Sequence, residues 1–118
     1  MLEECARRGI RVHIAGIWSG LYHTNAGGRG VEDQALQEGL ARMRGWRTLA
    51  AECNCTIEAM AVAFAALPRV VSKIVMGMKT KEEVAANIIA AEESAQVPPW
   101  AWREAQRRGL LPSHLILP

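Results

Sequence analysis

The stretch that decides the fold is residues 73–87, Lys-Ile-Val-Met-Gly-Met-Lys-Thr-Lys-Glu-Glu-Val-Ala-Ala-Asn. Its apolar run from Ile74 to Met76 is short and ends at Gly77, which is typical of a buried strand. Thr80 is a good N-cap residue, and Glu83 three positions later completes a capping-box pattern. The stretch therefore predicts a strand, a tight glycine turn and a helix N-terminus in direct succession.

Such a turn has two interpretations. Backbone N–H groups and the helix dipole at a helix N-terminus favour a bound anion, and Lys79 and Lys81 would add positive charge. The alternative is an ordinary βα turn with solvated lysines, a common feature of α/β proteins. The local residues alone favour the ordinary turn, so the rest of the chain has to decide.

Composition describes one domain, residues 1–118, with half of its residues apolar and a formal net charge of +2. The charge is small and evenly spread, which argues against nucleic acid as a partner. No apolar run reaches membrane-spanning length, so no membrane association is predicted. The first residues, Met-Leu-Glu-Glu-Cys, carry acids where a signal peptide needs a basic stretch, and a cytoplasmic location is the expectation.

The three cysteines are Cys5, Cys53 and Cys55. An odd number without a secretory signal favours reduced thiols over a disulfide framework. The Cys-Asn-Cys spacing is wrong for a zinc knuckle and no second pair exists, so no metal site is predicted.

A strand is predicted over Ile10 to Ile17, because the segment is rich in β-branched residues. His13 within it is more typical of a packed or edge residue than of a catalyst. A glycine-rich loop follows from Trp18 to Gly30, and its first residues come off the end of the strand where α/β folds bind ligands. A mobile loop is the simpler interpretation of its composition, and a phosphate-binding P-loop is excluded because no Gly-Lys-Ser/Thr follows.

The remaining segments are predicted to be five helices separated by turn signals, with Thr56 as the N-cap of the third and Gly109 closing the fifth. They run over Leu2–Arg8, from Val31 to Cys53, over Ile57–Leu67, from Lys81 to about Glu93, and over Trp100–Arg108. In the second, the glycines at 39 and 45 weaken the helix, which leaves a frayed first turn or a break near Gly45 as alternatives. On the fourth, Val84, Ile88 and Ala91 are predicted to form the inner face, whereas the third is apolar all round and should be buried on several sides.

Strands separated by long helical segments predict a parallel pair joined by a right-handed crossover. Parallel strands need neighbours at both edges and cover on both faces. The chain supplies helices for cover but no further strands, so it is predicted to be part of a larger α/β fold.

The stretch Met-Gly-Met-Lys-Thr-Lys-Glu-Glu-Val-Ala-Ala-Asn resembles the C-terminal cofactor signature of aldo-keto reductases. The earlier Ala-Gly-Ile-Trp-Ser-Gly-Leu-Tyr resembles the family's preceding strand and loop, and the alanine-rich helix before Pro68 and the terminal Gly-Leu-Leu-Pro also fit. Most similar is the branch that includes aldose and galactose 1-dehydrogenases. The resemblance extends from about Leu2 to Pro112.

The resemblance implies the C-terminal part of a TIM-type (β/α)8 barrel, about two βα units and the terminal helix, in a family whose barrel needs roughly 250 residues. The family's catalytic Asp, Tyr, Lys and His belong to earlier units, so no catalytic residue is assigned in this chain. The only tyrosine, Tyr22, lies in the loop that matches the cofactor loop.

Eight residues match cofactor-binding positions of the family and predict a site for NAD or NADP: Ser19, Gly20, Leu21, Gly77, Met78, Lys79, Glu83 and Asn87. The first three match the loop at the cofactor diphosphate. The next three match the turn beside the adenosine ribose, and the last two match helix positions near the adenine.

Two residues depart from the family pattern. Met76 replaces the usual proline, and Glu83 replaces the arginine of strongly NADPH-selective members. A carboxylate repels a 2′-phosphate, although Lys79 would compensate. The choice between NAD and NADP therefore stays open, with a lean to NAD or dual use.

Two functions follow as hypotheses. The chain is the cofactor-binding portion of an aldo-keto reductase-type oxidoreductase for sugars or other carbonyl or alcohol substrates, without the catalytic half. Alternatively it is a non-catalytic truncated paralogue that acts by pairing, as a homo-oligomer or with a complementing barrel fragment, through exposed strand edges.

Overall fold

The computed structural model of the protein describes residues 1–18 and 32–117, with the side chains of residues 32–36 left aside. These ranges hold five helices and two strands: α1 (Leu2–Arg7), β1 (Val12–Ala15), α2 (Glu32–Glu52), α3 (Ile57–Ala66), β2 (Val71–Val75), α4 (Lys81–Ser94) and α5 (Trp100–Arg107). The α/β class and the order of elements predicted from the sequence are confirmed. The assignment to a barrel stays a prediction.

The two strands pair in parallel, as predicted, with Ile14 opposite Ile74 and Ala15 opposite Val75. The register shifts between Val12 and His13, and β1 is shorter than the strand predicted over Ile10 to Ile17. His13 is exposed on the strand, which agrees with an edge residue. Among the described residues each strand has only one partner, so the outer edge of each is open to a further strand.

The core is formed by helices rather than by the sheet. Its buried residues come from α2, α3, α5 and the segment after α5: Leu49, Ala50, Met60, Ala101, Trp102, Ala105 and Leu110. Their alternation of alanines with large side chains lets the helices approach closely around a few bulky residues.

Helix α2 runs without interruption through Gly45, so the break there, one of the two alternatives for this helix, does not occur. A Cβ at Gly45 would lie 2.6 Å from Leu110 Cδ2, so the glycine makes room for a core leucine. The cost of a glycine inside a helix is offset here by packing. The predicted start of this helix at Val31 lies outside the described residues.

Helix α3 begins at an N-cap, where the Thr56 hydroxyl accepts a hydrogen bond from the Ala59 N–H at 3.1 Å. The helix packs against α2, α4 and β2, and Ala59, Met60 and Val62 are buried. Burial on several sides is therefore confirmed for this apolar helix.

The inner face of α4 differs from the prediction. Ala90 is buried, with 2% of its surface exposed, whereas Val84, Ile88 and Ala91 are exposed. The rotation of the helix is set by polar contacts of Asn87 and Glu93 with neighbouring segments and by the close approach of α3, which suits an alanine. The larger apolar side chains consequently face outward.

Helix α5 ends at Arg107, and Gly109 just beyond it has a φ of +72°, as expected of the glycine predicted to close this helix. The tail then folds back, and the Gln106 amide donates to the carbonyl oxygens of Pro112 at 3.1 Å and Leu115 at 2.7 Å. Because Leu110 is buried in the core, the tail is part of the packing rather than only a surface covering.

Within the described ranges no single helix has both the length and the apolar character needed to cross a bilayer, and the bent pair Gln37–Glu52 and Ile57–Ala66, with 88° between its halves, meets that test only when taken together.

Arg108 joins α2 to α5 through two carboxylates. Its guanidinium lies 2.6 Å from Glu52 Oε2 and 2.7 Å from Glu104 Oε1, and Arg107 also donates to Glu104 at 2.8 Å. The hydrogen bonds from Arg107 and Arg108 lower the pKa of the Glu104 carboxyl to about 2.

Acid is expected to weaken this junction. Because the pKa of Glu104 is lower in the folded chain than in the unfolded one, its stabilisation is complete above about pH 4.5 and is lost as the pH falls toward 2. Urea unfolding at a series of pH values should show Glu104→Gln losing stability less steeply than the wild type over that interval. Glu82→Gln, on exposed α4, should keep the wild-type slope, and equal slopes for all three proteins would contradict the prediction.

Candidate functional site

The turn between β2 and α4 is fixed first by Thr80. Its hydroxyl accepts a hydrogen bond from the Glu83 N–H at 3.1 Å, and α4 starts at the next residue, Lys81. The N-cap and the helix start predicted from the sequence are confirmed.

The second half of the capping box differs from the expected pattern. Glu83 Oε2 accepts from the N–H of Lys79 at 2.5 Å, one residue before the N-cap. The N–H groups of Lys79 and Glu83 are therefore both bonded within the turn. An anion placed here would have to displace a carboxylate, so this geometry favours the capped turn over a phosphate cradle.

Asn87 ties the helix back to the glycine turn. Its side-chain amide donates to the Gly77 carbonyl oxygen at 3.3 Å, over a separation of ten residues. Glu83 and Asn87 thus face the same turn from successive turns of α4, as the four-residue spacing predicted.

A cleft of about 520 Å³ opens beside this turn. Its described lining consists of Trp18, Thr56, Glu58, Gly77, Glu83, Ala86, Asn87 and Ile89. The cleft therefore brings together three of the predicted cofactor residues, Gly77, Glu83 and Asn87. Met78 and Lys79 belong to the adjoining turn but are not part of the lining, and Ser19, Gly20 and Leu21 lie outside the described residues.

The opposite wall of the cleft comes from the first turn of α3 and is anchored by Glu93. Glu93 Oε2 accepts from the Thr56 N–H at 3.0 Å and from the Thr56 hydroxyl at 2.9 Å. The contact links α4 to the N-terminus of α3, where an acidic side chain is also favourable for the helix dipole.

Trp18 and Glu58 line the cleft but were not assigned from the sequence. Trp18 follows β1, so its position next to the β2–α4 turn results from the parallel pairing of the strands. Glu58 carries no sequence signal for a site, because an acid in the first turn of a helix is ordinary.

The charge of the cleft limits its ligands. Glu58 and Glu83 are the charged residues of the described lining, and no lysine, arginine or histidine is among them. Carboxylates accept hydrogen bonds from hydroxyl groups and repel phosphate, and Trp18 adds an aromatic side chain to the lining. The lining suits a neutral group that has hydroxyls and an aromatic ring.

The cysteines and acids offer no alternative site in the described ranges. No group of three His, Cys, Asp or Glu side chains there is placed to hold a metal ion. Burial raises the pKa of the Cys55 thiol to about 11 and also raises that of Cys53. Both thiols are therefore protonated at neutral pH and poor nucleophiles.

No family model matches the sequence, and it has no match among curated proteins or solved structures. The likeness to aldo-keto reductases consequently rests on the motifs alone.

Proposed function

We propose that this chain binds the adenosine half of NAD and is the cofactor-binding portion of a cytoplasmic aldo-keto reductase-type oxidoreductase for sugars or other carbonyl or alcohol substrates. The observation that carries the proposal is the cleft in which Gly77, Glu83 and Asn87 lie together with Trp18. The sequence motifs predict all three residues as cofactor-binding, and the three come from one turn and one helix face.

The chemistry of the cleft favours a nucleoside. Its volume of about 520 Å³ is within the usual range for small-molecule sites. Carboxylate oxygens of Glu58 and Glu83 would accept hydrogen bonds from the ribose hydroxyls, and Trp18 would stack on the adenine. Two carboxylates disfavour a 2′-phosphate, so NAD is preferred to NADP.

The proposal separates binding from catalysis, because no catalytic residue of the family is matched in this chain. We expect NADH to bind and the isolated chain to transfer no hydride to aldoses.

Ala86→Leu should weaken NADH binding at least tenfold, because the added side chain enters the cleft. Isothermal titration calorimetry measures the affinity. The matched control is Ala85→Leu, which places the same change at the neighbouring exposed position outside the cleft lining. A folded wild-type chain that binds no NADH, or equal effects of the two substitutions, would refute the site.

A second candidate function is association with another copy or with a complementing barrel fragment. The observation that favours it is the outward apolar face of α4, formed by Val84 and Ile88, of which Ile88 is 54% exposed. The open edges of the two-stranded sheet lie in the same domain. Neighbouring apolar side chains that are exposed to solvent are typical of interaction surfaces.

Ile88→Glu should shift the protein toward monomer in sedimentation equilibrium, because a charge at the centre of the α4 face opposes its burial. Ile116→Glu, at an exposed position in the tail, controls for the general effect of an added charge. A wild-type chain that is already monomeric at high concentration would exclude self-association.

A further inference from the structure

A second concavity lies between α2, α3 and the tail. It has a volume of about 590 Å³ and is lined by apolar side chains, among them Met43, Trp46, Met60, Phe64, Leu111 and Leu115. We call it the apolar groove. It shares no described lining residue with the cleft beside the β2–α4 turn, which we call the nucleotide cleft, so the two can be tested separately.

The walls of the groove are held by contacts that do not depend on a ligand. The Gln106 amide bonds to the Pro112 and Leu115 carbonyl oxygens and so fixes the tail wall. Leu110 packs against the α2 backbone at Gly45, which sets how closely the tail approaches that helix. A preformed apolar site of this kind needs little ordering when it binds a ligand.

Arg42 is the charged residue of the described lining. It is exposed on α2, and no carboxylate of the described residues forms an ion pair with it. An apolar channel beside a guanidinium is complementary to a ligand with a hydrocarbon body and one anionic head. The nucleotide cleft has the opposite charge, with Glu58 and Glu83 in its lining.

We propose that the apolar groove binds a single-chain alkyl carboxylate, with the hydrocarbon against Trp46, Met60 and Phe64 and the carboxylate at Arg42. A carboxylate is the natural partner of a guanidinium, which it engages through two parallel hydrogen bonds. The volume of the groove accommodates one hydrocarbon chain rather than a two-chain lipid. The positive charge of Arg42 excludes amines.

Calorimetric titration of the full chain with decanoate, below its micelle concentration, tests the proposal. From hexanoate to decanoate, affinity should rise about fourfold per methylene, the value for transfer of a CH₂ group out of water. Decanol should bind more weakly than decanoate, and decyltrimethylammonium weakest of the three. The Trp46 indole N–H resonance should shift on binding, which places the ligand in the groove.

Substitutions at two positions distinguish the contribution of the carboxylate head from that of the hydrocarbon chain of the ligand. Arg42→Gln should weaken decanoate about tenfold and leave decanol unchanged, whereas Arg47→Gln, exposed on the same helix outside the lining, should change neither. Ala61→Leu should weaken both ligands, because it fills the groove from α3, and Ala85→Leu on α4 is its control.

Several results would overturn the proposal. These are no decanoate binding by the folded chain, equal affinity for decanoate and decyltrimethylammonium, or binding unaffected by Ala61→Leu. A dimer in light scattering that dissociates on Ala61→Leu and excludes decanoate would assign the groove to a second copy instead.

Discussion

Trp102→Ala is expected to lower the free energy of unfolding by about 3–5 kcal/mol. Trp102 is 5% exposed and belongs to the buried cluster that joins α2, α3 and α5. Its ring also meets that of Phe64, with 5.6 Å between centroids and 54° between planes. Because a small domain has only about 5–15 kcal/mol of stability, the loss should leave the variant marginally folded.

The control lies two residues away on the same helix. Trp100 is 49% exposed, so Trp100→Ala should change stability by less than about 1 kcal/mol. Urea unfolding followed by far-ultraviolet circular dichroism suits both variants, since each removes a fluorophore. Similar losses at the two positions would show that the core is not centred on Trp102.

Local signals in the sequence identified most of the elements. Thr56 and Thr80 were read as N-caps and accept the expected hydrogen bonds from Ala59 and Glu83. Gly109 was read as a helix terminator and has a positive φ. Such features depend on residues within one turn of each other, so the sequence contains the information directly.

Features that depend on distant residues could not be predicted. The glycine at position 45 suggested a break in α2, because nothing near it in the sequence indicates that Leu110 packs there. The prediction of which face of α4 is buried was wrong for a similar reason. Two apolar stripes are available on that helix, and the choice is made by Asn87 and Glu93, which bond to Gly77 and Thr56.

The residues of the candidate site likewise fall into those that the sequence predicts and those that depend on contacts between distant segments. The resemblance of this strand–turn–helix stretch to the aldo-keto reductase signature predicts Gly77, Glu83 and Asn87 as site residues, and because they belong to one turn and one helix face they line the same cleft. Trp18 and Glu58 enter the cleft through the pairing of β1 with β2 and through the packing of α3 on α4. Of the two carboxylates in the cleft, the sequence therefore predicted Glu83 but not Glu58.

Because the cleft is acidic, Glu83→Arg is expected to change the cofactor preference. This second large effect depends on the proposed nucleotide site. The ratio of NADPH to NADH affinity should rise at least tenfold, because a repulsive charge at the ribose end becomes an attractive one. Exposure of Glu83 to solvent reduces the effect below the value for a buried pair. Competition titrations with both cofactors measure the ratio.

Two further variants distinguish the charge from the turn. Glu83→Gln removes the charge but retains an oxygen that can accept from the Lys79 N–H, so it should give part of the shift with the turn intact. Glu82→Arg adds the same charge at the neighbouring position outside the cleft lining and should leave the ratio nearly unchanged. If Glu83→Arg weakens both cofactors equally, the carboxylate acts only by bracing the β2–α4 turn. A raised ratio with Glu83→Arg alone would place the 2′ position of the ribose at Glu83, because only a contact there distinguishes the two cofactors.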